Sequence, residues 1–308
     1  DRDVEDIEDV KRYLGQEDLE LPENGTAHPV EHPAGEALAE RFLRDFPQVL
    51  DLIRSVLDVQ AIEEKECLVL DTHTLYNIEQ LGSRSLRLFC NLHEVNDFPR
   101  INRYFLAVHR VLHNGGYFIG CKERIESCRE RIFKRYPAWM AKIIYLNYFI
   151  FKRVFPKIAG LKEVYFFLSK GKKRAISQAE LLGRLCFCGY KVVATNIVGE
   201  KFYYVAQKVK TPSLDKNPSY GPFIELERVG YQGKMIHLKK MRTMHPYSEY
   251  IQDYVYEQNN LDGNGKIKND FRVTSWGRVF RKIWLDELPQ LVNFVRGDLN
   301  LIGVRALS

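Results

Sequence analysis

No run in this 308-residue chain approaches the ~18–20 apolar positions needed to cross a bilayer. The best candidate, Ile143 to Phe151 (IIYLNYFIF), stops at nine residues and contains Asn147. The N-terminus, DRDVEDIEDV, has neither a basic nor an apolar stretch, so no signal peptide is expected there. It also begins without Met, so the chain reads as processed or as an excerpt of a longer one. Cysteines 67, 90, 121, 128, 186 and 188 form no CxxC pair, and the histidines form no HxxxH or HExxH pattern. Zinc ligation wants a tighter pair of pairs, so the thiols read as free, in a reducing compartment. At 45% hydrophobic and 28% charged, the chain is too apolar and too even in composition for disorder.

What is present is unevenly spread. The net charge is +6, yet residues 1–20 carry nine carboxylates against three bases. Residues 122–174 carry fifteen Lys or Arg against four Glu, so an anionic partner is sought there first.

The pattern divides the chain into three pieces. Residues 1–60 give an acidic lead, a Pro/Gly/His loop and a helix from Glu36 to Leu57 that Pro47 kinks or splits. Residues 61–212 alternate strand and helix. Strands are expected at Cys67–Leu70 and Leu86–Asn91, and a helix over Pro99–Leu112 stopped by His113-Asn114-Gly115-Gly116. A strand from Tyr117, a helix over Ser177–Cys186 and closing strands at Tyr190–Ala194 and Phe202–Ala206 follow. This α/β order resembles the back portion of class I methyltransferase-like Rossmann domains. The glycine-rich cofactor turn of such domains is absent: after the first strand the chain reads Val69-Leu-Asp-Thr-His-Thr-Leu-Tyr, with no glycine before Gly82. The expectation is a degenerate domain kept for scaffolding or binding, with an S-adenosylmethionine-dependent methyltransferase as the alternative.

Within this piece, the insertion 122–174 interleaves cations with aromatics. Phe133, Tyr136, Trp139, Tyr145, Tyr148, Phe149, Phe151 and Phe155 sit beside Lys134, Arg135, Lys142, Lys152, Arg153 and Lys157. Such a segment suits an anionic membrane surface, with cations at the headgroups and rings at the boundary. A core helix with a solvated basic face and a single-stranded nucleic-acid surface are the other readings.

From residue 213 the character changes. A linker leads to a β-hairpin, Phe223–Val229 and Lys234–Lys240, around the turn Gly230-Tyr-Gln-Gly233. Pro289 fits only the first turn of a helix, so one helix is expected to end near Leu285 and another to run from Asp286 to Gly297. Asp286 and Glu287 then stand at a helix N-terminus, where ionised carboxylates are favoured. Such a pair can hold Mg²⁺, and one member can attack phosphorus. Arg228, Lys240, Arg242, Arg272, Arg281 and Arg305 supply cations suited to a diphosphate. An acidic helix cap among surface bases is the plain alternative.

Five ordered blocks carry a resemblance over residues 220–305. They are Gly221-Pro222, Arg228-Val-Gly230-Tyr-Gln-Gly233, Lys240-Met-Arg242-Thr243-Met244, Asp270-Phe-Arg272-Val-Thr274-Ser-Trp-Gly277, and Leu285-Asp286-Glu287-Leu288-Pro289-Gln290-Leu291-Val-Asn293 with the following Gly297-Asp298. Together they resemble the bacterial sugar transferases, the monotopic polyprenol-phosphate phosphoglycosyl transferases. This resemblance implies a partial α+β catalytic domain here, following the methyltransferase-like α/β Rossmann-like domain read over 61–212. It also implies transfer of a sugar-1-phosphate from a nucleoside diphosphate sugar to polyprenol phosphate, for surface-glycan synthesis, with Mg²⁺ required. Asp286 takes the nucleophile's position, Glu287 that of its metal- or proton-handling partner, and Lys240 and Arg305 positions that contact the nucleotide sugar. The implied location is the cytoplasmic face of the bacterial inner membrane, peripheral or monotopic, with no nucleic-acid partner. The chain departs from the family at Gly303-Val304-Arg305-Ala306, where two prolines are lost, and in having no re-entrant helix before Gly221. It also stops at Ser308, where family members continue, so a truncated or inactive form is one expectation. A non-catalytic nucleotide-sugar-binding scaffold is the alternative from another functional class.

Overall fold

The computed structural model describes residues 32–155, 160–170, 172–213, 215, 218, 220–258, 267 and 270–300. The acidic lead, the loop at 262–266 and Arg305 lie outside the described residues.

Five strands form the main sheet: β1 (Cys67–Leu70), β2 (Leu86–Glu94), β3 (Leu112–Glu123), β4 (Tyr190–Val198) and β5 (Lys201–Lys208). They lie in the order β1-β2-β3-β5-β4. The first three are parallel, and β5 runs antiparallel to both β3 and β4. The expected α/β class is thus observed, a parallel sheet closed by a terminal hairpin. A separate antiparallel ribbon pairs β6 (Phe223–Val229) with β7 (Met235–Met241).

Both faces of the main sheet are covered. On one side a helical segment 34–42 and α1 (Pro47–Arg54) bury Leu38, Val49 and Ile53 against Cys90, Ile119, Tyr203 and Val205. Pro47 opens α1, so the helix expected over 36–57 is split there, because proline lacks the donor a continuing helix needs. On the other side lie α2 (Ile101–Val111) and, after the insertion helices α3 (Ile125–Arg135), α4 (Ala138–Phe149) and α5 (Leu161–Ser169), helix α6 (Gln178–Phe187). Ser177 caps α6, its Oγ accepting from the Glu180 N–H at 3.1 Å.

The stretch His113–Gly116 differs from its expected role as a helix stop. α2 ends with Leu112 already extended, and the four residues belong to β3. Between Leu86↔Leu112 and Leu88↔Tyr117 the partner strand advances two residues while β3 advances five. The glycines serve a bulge, with Gly115 at φ 77°.

The C-terminal piece closes this core. Tyr247, Ile251 and Val255, the last two from a 3₁₀ turn and α7 (Gln252–Gln258), join the cluster of α2 and α6. A Cβ on Gly183 would meet the Tyr247 carbonyl oxygen at 2.1 Å, so only glycine admits that backbone. The buried Arg184 bonds Asn102 Oδ1 at 2.8 Å and Glu180, and lies 4.3 Å from the Tyr247 ring centre.

His109 sits in this core, with Nε2 3.0 Å from the Lys210 carbonyl oxygen. Burial, reinforced by the Lys208 charge, pushes it down to about 3. The unfolded chain binds that proton near pH 6.5, so stability is full above that pH and falls as pH drops toward 3. The loss is about 1.4 kcal/mol per pH unit at most. Urea melts at pH 7 and pH 5 should show a smaller drop for His109→Gln, which keeps a donor, than for the native protein.

Candidate functional site

Alternation on the β6–β7 ribbon sets the site. Ile224, Leu226 and Arg228 pair with Lys240, Leu238 and Ile236, so these six share one face. Against β7 pack a 3₁₀ turn, Leu285–Glu287, and helix α9 (Gln290–Val295), which follows α8 (Ser275–Lys282). Lys240 Nζ donates to Glu287 Oε1 at 2.6 Å, joining two motif blocks 47 residues apart in sequence.

Asn293 holds this arrangement. Fully buried on α9, it accepts from the Lys239 N–H at 3.0 Å and donates to the His237 carbonyl at 2.8 Å. It thus takes the hydrogen-bonding place of a neighbouring strand along β7. Gly297, at φ 78°, ends the helix as expected.

The carboxylate pair is not in the first turn of α9, contrary to the expectation from Pro289. Bonds from Glu287 N–H to the Trp284 carbonyl, and from Leu288 N–H to the Leu285 carbonyl, close a 3₁₀ turn. Pro289 brings no N–H to the Leu285 or Asp286 carbonyl and instead stands as the cap of α9. The positive charge facing Glu287 is therefore Lys240, not a helix end. Asp286 is half-buried and makes no side-chain hydrogen bond among the described residues.

The remaining blocks build the support. Arg242 is buried, its Nε bonded to the Gly221 carbonyl and its N–H to the Pro222 carbonyl at 2.7 Å. The Gly-Pro pair is thereby tied to the end of β7. Thr274 caps α8, its Oγ1 accepting from the Gly277 N–H and donating to the Thr243 carbonyl, each at 3.0 Å. A Cβ on Gly277 would meet that Thr243 oxygen at 2.2 Å. Arg281 reaches the Thr243 hydroxyl at 2.8 Å. Arg272 forms a two-pronged pair with Asp270, at 2.9 and 2.8 Å, and also bonds Gln252. Burial alone would raise the Asp270 carboxyl, but the bonds and charge of Arg272 outweigh it and hold it below its ordinary value.

Of the candidates read from sequence, Lys240 and Glu287 are in contact, and Asp286 precedes Glu287 on the same 3₁₀ turn. Arg281 joins the Thr243 end of the same scaffold. Arg242 and Arg272 are buried and engaged by Gly221 and Asp270. Arg228 stands four residues along the ribbon from Lys240's cross-strand partner, a span of ~13 Å, and bonds its own neighbour's carbonyl. Arg305 lies outside the described residues.

Two arrangements carried no sequence signal. His93 sits between Asp71 Oδ1 at 2.9 Å and Asp97 Oδ2 at 3.1 Å, at the carboxyl ends of β1 and β2. Beside it, the glycine-free turn after β1 is tied to β2, with Asn91 accepting from Thr72 N–H and donating to its carbonyl. Asn96 clasps the base of the insertion: its Oδ1 accepts from Glu123 N–H at 3.0 Å, and its Nδ2 donates to the Arg174 carbonyl at 2.6 Å. An isolated polar residue becomes informative only when both ends of the insertion are known.

Mg²⁺ is commonly held by one or two carboxylates, with water and phosphate oxygens filling its other positions. Asp286 and the Lys240-anchored Glu287 fit that donor set. Among the described residues no group of three or more His, Cys, Asp or Glu forms an all-protein cage.

Comparison with known proteins bears on this third of the chain. Residues 208–308 match the family model described as bacterial sugar transferase. Undecaprenyl-phosphate galactose phosphotransferase of Salmonella typhimurium is 37% identical over 86 residues, 26% of this chain and 18% of that protein. UDP-galactose-lipid carrier transferase of Erwinia amylovora is 40% identical over 93 residues, 29% of this chain and 19% of that one. Exopolysaccharide production protein ExoY of Rhizobium meliloti is 36% identical over 83 residues, covering 25% and 37%. The chain thus spans about a fifth of the length of the first two relatives. Among solved structures, an S-adenosylmethionine dependent methyltransferase from Mesorhizobium loti aligns with a TM-score of 0.26 at 14% identity, over 42% of this chain and 66% of its own. The α/β fold class rests on the sheet topology itself.

Proposed function

We propose that this protein transfers a sugar-1-phosphate from a nucleoside diphosphate sugar to polyprenol phosphate, in exopolysaccharide or other surface-glycan synthesis at the cytoplasmic face of the bacterial inner membrane. The observation that carries the reading is the 2.6 Å contact between Lys240 and Glu287. It gathers a cation and an adjacent carboxylate pair on a scaffold made of the family's own blocks. The names of the sugar transferase relatives support the same chemistry.

The Asp286 carboxylate attacks the phosphorus that bears the sugar. A carboxyl–phosphorus bond forms, the bridging P–O bond breaks, and nucleoside monophosphate leaves with the electron pair. A polyprenyl phosphate oxygen then attacks the same phosphorus, and the carboxylate is regenerated. Glu287 is held in place by Lys240, whose ammonium also neutralises phosphate charge. Mg²⁺, when bound, neutralises the diphosphate and would be held by Glu287 and Asp286. Exposed Trp284, Leu288 and Leu291 beside the pair give the apolar chain of the acceptor a surface.

Lys240→Met tests the role of the cation. With UDP-galactose or UDP-glucose, a polyprenyl phosphate and Mg²⁺, nucleoside monophosphate release by the full-length protein should fall roughly 10²–10³-fold. Unchanged release would move the phosphate site elsewhere.

A further inference from the structure

We propose that α4 and α5 form an interfacial anchor, lying in the plane of an anionic bilayer with their outward apolar faces among the lipid chains. The inward side of α4 is settled by contacts: Tyr145 meets Phe133 of α3, and Tyr145 and Tyr148 stack. Ala141 alone on α4 is buried among the described residues. That leaves Trp139, Ile143, Leu146 and Ile150 on the outward stripe, the first three 65%, 54% and 57% exposed. On α5, Leu161, Val164, Phe167 and Leu168 do the same, with Phe167 84% exposed. Water-facing helices of a soluble domain do not carry consecutive large apolar stripes.

Charge selects the occupant. From Arg131 to Lys162 the sequence has eight Lys or Arg and no Asp or Glu. Lys134, Arg135 and Lys142 are exposed beside the α4 stripe, and Lys170 and Lys172 beyond α5. Glu130 and Glu200 line the cleft that holds Lys134 and Arg135, but cations predominate around the apolar face, which fits anionic headgroups over acyl chains. Arg153, read from sequence among the lipid-facing cations, turns inward instead and donates to His245 Nδ1 at 3.0 Å. That bond fixes the insertion to the C-terminal piece. His245 follows Lys240 by five residues, so the backbone at Lys240 and that at the docking point of Arg153 are at most ~17 Å apart along the chain. The anchor would thus hold the carboxylate pair near the lipid surface. This last step rests on the sugar-phosphate transfer reading, whereas the lipid contact does not.

The test is flotation of full-length protein with phosphatidylcholine vesicles, with and without 30% phosphatidylglycerol. The native protein should float with the anionic vesicles and much less with the neutral ones. Lys134→Glu/Arg135→Glu/Lys142→Glu should weaken binding about 100-fold or more. Trp139→Ser/Ile143→Ser/Leu146→Ser should abolish it, with unfolding midpoints kept because these side chains are exposed. Asp286→Asn should float like the native protein, and the serine variant should still turn over a short-chain polyprenyl phosphate in detergent. These two arms separate failure of the anchor from failure of the catalytic reading. Undiminished flotation of both sets would overturn the proposal. So would a lipid-free dimer that the serine variant converts to monomer.

Discussion

Asp286→Asn should lower nucleoside monophosphate release by the full-length protein roughly 10⁴-fold or more, with its unfolding midpoint unchanged. A carboxamide cannot act as the nucleophile, and no second carboxylate can take over without moving the Lys240–Glu287 pair. Since the Asp286 side chain makes no hydrogen bond among the described residues, the fold loses nothing with it. Glu287→Gln should behave differently. It keeps a hydrogen bond to Lys240 but loses the charge pairing, so activity should fall less steeply and its Mg²⁺ requirement should rise. Equal losses for the two variants would mean that the pair acts as one binding group.

The second large effect concerns stability. Asp270→Ala strips a two-pronged partner from the buried Arg272 and leaves a guanidinium with Gln252 in a site that excludes water. Breaking such a pair from one side costs about 3–5 kcal/mol. The damage should reach the site. The Arg272 carbonyl accepts from His245 N–H, and Thr274 two residues on is bonded to Thr243, so the strap between β7 and α8 loosens with the pair. The native pair has its own pH signature. Because the Asp270 carboxyl is held below its ordinary value, its stabilisation is present above about pH 4 and is lost as pH falls through the depressed value. Denaturant melts from pH 7 down to pH 3 should show that acid loss in the native protein and its absence in Asp270→Ala.

Much of this was legible in the residues. Local signals are read locally, so Pro47 split its helix, a helix followed Ser177, and Gly230–Gly233 turned the ribbon. The Lys240–Glu287 contact lay within reach of the sequence, because both residues read as candidates for chemistry at a phosphate. The cations were harder. Arg242 and Arg272 read as phosphate ligands because a sequence shows a charge but not its neighbour. The Gly221 carbonyl and the Asp270 carboxylate answer them here. Arg153 misled in the same way, since a basic run does not say which of its members turns inward to His245. The glycines at 115 and 116 serve equally to stop a helix or bulge a strand. Only the two-against-five register with β2 decides between them. Asn293 lies within a motif, but its role is not legible from sequence, because the open edge of β7 that it satisfies exists only once the chain is folded.

The most direct test is a trap without acceptor. Full-length protein, mixed with Mg²⁺ and a nucleoside diphosphate sugar that supports turnover, should release one equivalent of nucleoside monophosphate. Its intact mass should rise by one sugar phosphate, with fragmentation placing the adduct on Asp286, and polyprenyl phosphate should discharge it. Turnover with acceptor but neither burst nor adduct without it would contradict a carboxylate nucleophile at Asp286.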